Sequence, residues 1–160
     1  MKRLHRHLGL TGAAVTVSAG LGIVATTPED AWYQQLDRPS WEPPPVVFPL
    51  VWTPLYADIA VTSALALTRL EEARRHDEAD DLRRSLALNL VLNTGWSVLF
   101  WRSRRPWLST IWCMALAGQS SDLARRVGRA DRRLGMALAP YPAWCAFASL
   151  LNAEIARRNP

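Results

Sequence analysis

From Leu8 to Thr26 the chain runs for 19 residues without a charged side chain. As a helix rising about 1.5 Å per residue, such a run is long enough to cross a hydrocarbon layer of about 30 Å. Further along, apolar stretches alternate with short charged clusters, so a mean hydropathy of −0.04 conceals segregation and does not describe a soluble surface. The arginines gather at Arg74 and Arg75, Arg83 and Arg84, Arg102 to Arg105, Arg125 to Arg129, and Arg132 and Arg133. Lying between apolar runs, they form no single basic face of the kind that binds nucleic acid. The expected partner is membrane lipid, with no nucleic acid.

Five spans are expected, at about 8–26, 46–68, 85–101, 107–124 and 134–155. Because lipid cannot solvate an open sheet edge, they imply an all-α integral membrane bundle of five transmembrane helices, in a single domain over 1–160. The first span has a competing reading as a secretory signal peptide, since Lys2, Arg3 and Arg6 precede it and Val17-Ser18-Ala19 resembles a cleavage site. The loop 28–45 is rich in tryptophan and proline; Pro39, Pro43, Pro44 and Pro45 forbid a regular helix there, so it is expected as an extended cap or lid. Pro54 is expected to kink the second span. Residues 69–84 read as a solvated charged linker, or alternatively as a docking site. The fourth span carries Gln119, Ser120, Ser121 and Asp122 in its second half, so either it is short or that end faces protein and water. Pro140 and Pro142 should distort the fifth.

Counting Lys and Arg by side gives thirteen with the N-terminus and six on the opposite side. That asymmetry predicts a cytoplasmic N-terminus and an outer C-terminus in a bacterial-type cell membrane. The two cysteines, Cys113 and Cys145, sit in apolar runs with no metal-binding spacing and read as buried thiols.

Eight tryptophans cluster near the ends of the apolar runs, as in an aromatic belt or a stacking pocket. Asn89, Asn93, Trp96 and Phe100 share one stripe of their helix, Tyr141, Trp144, Ala148 and Asn152 share another, and Trp52 and Tyr56 are neighbours on a third. If these stripes converge, they enclose an aromatic slot with a few polar handles. The same spacing is also produced by plain bundle packing, and asparagines bridge membrane helices without any ligand. His5, His7 and His76 fall outside the expected spans, so no metal site and no axial histidine for a haem is expected. No nucleophile, base and acid set is evident, so no catalytic residue is firmly assigned.

The run Trp32-Tyr33-x-x-Leu36-x-Arg38-Pro39-Ser40-Trp41-x-Pro43-Pro44, then Phe48, Trp52 and Tyr56, resembles the first loop and second helix of the TspO/translocator (tryptophan-rich sensory protein) family. Leu92-Asn93-x-x-Trp96-x-x-x-Phe100 resembles that family's third helix. Pro140-Tyr141-Pro142-Ala143-Trp144, with Ala146, Phe147, Ala148, Leu151, Asn152 and Asn159, resembles its fifth. The departures are the polar fourth span and Pro142.

The resemblance favours keeping the first span over cleaving it as a signal peptide. It implies binding of a porphyrin or another flat apolar molecule beneath the first loop, with no covalent cofactor. The pocket residues it implies are Trp52, Tyr56, Asn93, Trp96, Phe100, Trp144 and Ala148, with Tyr33, Trp41 and Pro43 as the lid; Asn89 and Tyr141 join them from the stripes. It also implies a possible homodimer and a role in sensing or transport within tetrapyrrole metabolism. The alternatives are light-dependent porphyrin degradation, in which Trp52 and Trp144 supply redox-active rings, and a ligand-free membrane scaffold. A sterol-recognition pattern is absent, because the first basic residue after Tyr141 is Arg157.

Overall fold

The computed structural model describes residues 1–160 and contains helices and no strand. In chain order they are α1 (Lys2–Ala25), α2 (Ala31–Gln34), α3 (Val47–Glu72), α4 (His76–Val98), α5 (Pro106–Ala130), α6 (Arg132–Ala137) and α7 (Pro140–Arg158). The protein is an all-α membrane bundle. By length and apolar composition, Lys2–Ala25, Val47–Glu72 and the near-continuous Arg132–Arg158 can each cross a membrane. α4 and α5 are as long but carry charged ends and polar inner faces.

The helices outrun the apolar stretches, which corrects the reading of 69–84 as a linker. α3 continues to Glu72 and α4 starts at His76, so only a tight turn separates them. Arg74 takes a left-handed φ of 58° there, and the Arg75 amide reaches back to the Leu70 carbonyl at 2.8 Å, capping α3. The charges of this segment are helix ends held by local pairs, Arg75 with Glu78 and Arg83 with Asp80. α3 stays helical through Pro54. α5 is not short either: it runs 25 residues, and its polar half faces protein, Gln119 Nε2 donating to the Ser85 carbonyl of α4 at 3.1 Å. Pro140 does not distort a helix interior, because the chain breaks just before it and Pro140 occupies the first turn of α7, where its missing donor is harmless.

α1 packs on α3 and α4 through His7, Thr11, Val15, Ser18, Gly22 and Ala25, a stripe of mostly small residues that permits close approach. Thr11 donates to the Ala60 carbonyl at 2.8 Å, and Ser18 pairs with Thr94 at 2.8 Å. The histidines differ from expectation as well. α1 begins six residues early, so His5 and His7 are helical, and buried His7 lies 3.2 Å from Glu71 at the end of the bundle remote from the loop 28–45. α7 packs along α5, where both cysteines are buried and free.

Candidate functional site

On its other side α7 meets α3 and α4 through large side chains, at three levels. The lowest is a chain of hydrogen bonds. Tyr56 Oη donates to Asn93 Oδ1 at 2.7 Å, Asn93 Nδ2 donates to Tyr141 Oη at 3.2 Å, and Tyr141 Oη donates to Asn89 Oδ1 at 2.7 Å. Asn89 Nδ2 then reaches Gln119 and Ser120 of α5, each at 3.1 Å. Four helices are tied at one point, and because Asn89 and Tyr141 are fully buried with these partners, their polar groups are used up within the bundle.

Above this floor the rings fall into two separate clusters. Between α3 and α7, Trp52 stacks on Tyr56 with centroids 5.3 Å apart and meets the edge of Tyr141 at 6.2 Å. Trp144 contacts Phe48 at 6.0 Å and Phe147 at 5.2 Å. The second cluster grows from the end of α4, where Trp96 stacks on Phe100 at 5.7 Å. There α4 widens into a π-helical turn, Leu99–Ser103, which ends on left-handed Arg104. Phe100 and Trp101, adjacent in sequence, are both buried by it.

The loop forms the upper level, with α2 started by Asp30, whose carboxylate accepts from the Trp32 amide. Tyr33 packs on Trp101 at 4.7 Å and on Phe100 at 6.1 Å, while Trp41, nearly half exposed at 47%, lays its edge on Phe147. Two clasps hold the loop down. Asp30 pairs with Arg104 at 3.0 Å, and Asn159 at the end of α7 both accepts from the Asp37 amide at 2.9 Å and donates to the Asp37 carbonyl at 3.0 Å. Pro43 lines a hollow of about 450 Å³ in the loop together with Asp37, Arg38 and Glu42. Arg38 is engaged by Glu42 at 3.5 Å and by the Tyr33 ring at 5.0 Å.

Of the residues singled out in the sequence, Trp52, Tyr56, Asn93 and Tyr141 are linked in a ring of contacts, Trp52 to Tyr56 and Tyr141 through the rings and Asn93 to Tyr56 and Tyr141 through hydrogen bonds, and Trp144 and Ala148 follow along α7. Trp96 and Phe100 stand in the other cluster with Tyr33, and Asn89 lies beneath with its amide spent on neighbours. The sequence reading missed Phe48, Phe147, Trp101 and the Asn159 clasp, although all except Trp101 stand in the motif runs. Three buried polar atoms of this region have no partner: Trp96 Nε1, Trp144 Nε1 and Asn152 Oδ1. A buried donor or acceptor left unmatched costs about 1–3 kcal/mol, so these three groups stand apart from the satisfied network beneath them.

Burial, and then the Tyr33 hydrogen bond to Glu42 at 2.9 Å, pushes the phenol up to about 12 from its ordinary value near 10. Since the raised value belongs to the closed loop, its stabilisation is complete below pH 10 and disappears as pH rises towards 12. Loop opening, followed as loss of protection of the 28–45 amides relative to their intrinsic base-catalysed exchange, should increase across that window, and Tyr33→Phe should remove this pH-dependent loss of protection. A flat profile for the wild type would mean the phenol does not hold the loop.

The model of the TspO/MBR family matches residues 10–158 of the chain. The tryptophan-rich protein TspO of Chlorobaculum tepidum is 33% identical over 136 residues, covering 84% of each chain. The tryptophan-rich sensory protein of Cereibacter sphaeroides is 32% identical over 151 residues, 91% of this chain and 90% of its own. The translocator protein of Ovis aries is 28% identical over 128 residues, 80% and 75% respectively.

Proposed function

Because the chain belongs to the TspO/MBR family, we propose that it binds a flat, conjugated apolar molecule such as a porphyrin between α3, α4 and α7 beneath the loop, as a sensor or transporter. The observation that carries this reading is the pair of buried, unpartnered indole N–H groups, Trp96 on one aromatic cluster and Trp144 on the other. A plate inserted between the clusters stacks on rings, and its edge carboxylates or carbonyls accept from the indoles. Ala148, one turn beyond Trp144, leaves room that a larger side chain would take. No histidine lies in this region, so the tetrapyrrole is held by stacking and hydrogen bonding. Titrating the purified protein in the dark with protoporphyrin IX should quench tryptophan fluorescence saturably at one ligand per chain; non-saturating quenching that only follows micelle partitioning would remove the proposal.

The loop acts as the lid in this reading. Asn159→Ala removes two clasp bonds, together about 1–3 kcal/mol, and should raise the porphyrin dissociation rate about 5- to 150-fold with a smaller effect on thermal stability. Pro43→Gly with Pro44→Gly should act in the same direction by adding entropy to the open loop. An unchanged off-rate in both would make the loop a connector.

A second reading, light-dependent porphyrin breakdown, is favoured by the stack of Trp52 on Tyr56, a ring pair able to share oxidation. Illumination should then convert bound porphyrin to a new absorbing product in the wild type and more slowly in Trp52→Phe. Bleaching that is identical in both variants leaves the sensor reading alone.

The charge asymmetry supports a cytoplasmic N-terminus. A cysteine placed at Ser40 should react with an impermeant maleimide added to intact cells, and protection there would reverse the orientation.

A further inference from the structure

At the end of the bundle away from the lid is a hollow of about 630 Å³, lined by Arg69, Asp131, Arg132, Arg133, Leu134 and Met136. Three guanidiniums face one carboxylate. Asp131 is already committed: it pairs with Arg69 across the helices and caps α6 by accepting from the Arg133 amide at 2.7 Å. Arg132 and Arg133 are exposed and take part in no ion pair, unlike Arg75, Arg83, Arg125 and Arg126 at the same end.

Gly135 packs so close to Gly128 of α5 that a Cβ there would stand 2.6 Å from the Gly128 Cα, which seats α6 and the backbone of Arg132 and Arg133 directly against α5. The depth of the hollow in the membrane is fixed by the chain. Arg69 stands in the last turn of the apolar helix α3, and Arg132 opens the apolar run Arg132–Arg158, so the guanidiniums sit where two spans leave the hydrocarbon. Met136, 58% exposed, and Leu134 continue from the charges towards that layer. Positive charge at headgroup depth over an apolar flank matches a phosphodiester on two acyl chains.

We propose that this hollow is a binding site for the headgroup of an anionic phospholipid, with Arg132 and Arg133 meeting the phosphate and Leu134 and Met136 packing against the first acyl carbons. The site is independent of the aromatic slot. Its occupant is specified by charge and depth, and it binds lipid irrespective of whether a porphyrin is present.

The test uses the full chain in zwitterionic phosphatidylcholine nanodiscs, into which phosphatidylglycerol is titrated while retained lipid is counted by native mass spectrometry and unfolding temperature is followed. The wild type should retain phosphatidylglycerol and gain thermal stability from it. Arg132→Ala with Arg133→Ala should unfold like the wild type in phosphatidylcholine alone, because neither side chain has a protein partner, and should bind phosphatidylglycerol about 30-fold more weakly. Arg132→Lys with Arg133→Lys should recover most of the binding, which a folding defect in the alanine variant would not permit. Lys2→Ala with Arg3→Ala removes the same charge elsewhere at that end and should leave binding intact. Equal phosphatidylglycerol binding by wild type and the arginine-to-alanine variant would overturn the proposal, as would an equal loss in the Lys2 and Arg3 variant. So would an equal stabilisation by water-soluble glycerol 3-phosphate, which would assign the hollow to a free phosphate ester.

Discussion

Replacing Trp96 and Trp144 together with phenylalanine should weaken protoporphyrin binding about 5- to 150-fold. Each change keeps an aromatic face and removes one N–H, and a net hydrogen bond to the ligand contributes about 0.5–1.5 kcal/mol. Stability should move much less. Both N–H groups are buried without a protein partner, so deleting them relieves a penalty that offsets part of the lost ring packing. Benzothienylalanine at both positions isolates the N–H, since it keeps the bicyclic shape and carries sulfur in its place. Its affinity should fall as far as that of the phenylalanine variant. Wild-type affinity in both substituted proteins, measured by equilibrium titration, would show that the indoles are packing groups and that the unmatched donors do not mark a ligand.

Asn89→Leu should have the opposite profile, a loss of about 2–5 kcal/mol in stability with porphyrin affinity per folded molecule little changed. The asparagine makes three interhelical bonds, to Tyr141, Gln119 and Ser120, and such bonds contribute about 0.6–1.7 kcal/mol apiece in membrane bundles. Leucine fills a similar volume but leaves the Tyr141 hydroxyl and the Gln119 carbonyl oxygen facing apolar surface. Reversible unfolding in mixed micelles with increasing sodium dodecyl sulfate measures the difference. Unchanged stability with lost binding would make Asn89 a ligand contact.

That contrast between Trp96 and Asn89 marks how far a single stripe of sequence can be read. The two residues lie on one face of α4, and periodicity correctly gave them a common direction. Periodicity carries no information about depth or about what the neighbouring helix offers, and Ser120 and Gln119 consume the Asn89 amide while nothing consumes the Trp96 donor. The all-α membrane bundle and its three helices apolar enough to cross a membrane were legible because hydropathy is a property of the chain in one dimension. Their ends were not, because charges at 69–84 can be satisfied equally well by a coil in water or by pairs three residues apart on a helix, such as Arg83 with Asp80.

The loop was partly legible for the same reason. Its prolines excluded a long helix, and of its aromatic residues Tyr33 is buried while Trp41 stays nearly half exposed. The clasp between Asp37 and Asn159 joins residues 122 positions apart, and no local rule pairs them. The π-helical turn at Leu99–Ser103 was illegible too. Phe100 and Trp101 are neighbours that an ordinary helix would point about 100° apart, and only the widened turn and the arriving Tyr33 bury both.

The central claim is that the occupant lies between the two aromatic clusters, and photolabelling locates it directly. Protein saturated with a photoreactive flat porphyrin analogue is illuminated and digested, and the adducts are mapped by mass spectrometry with and without excess protoporphyrin IX. Competable adducts should fall on α3 near Phe48 to Tyr56, on α4 near Asn93 to Trp101, and on α7 near Trp144 to Asn152. Adducts confined to lipid-facing residues such as Leu50, Val91 and Leu150, and insensitive to competitor, would contradict the claim.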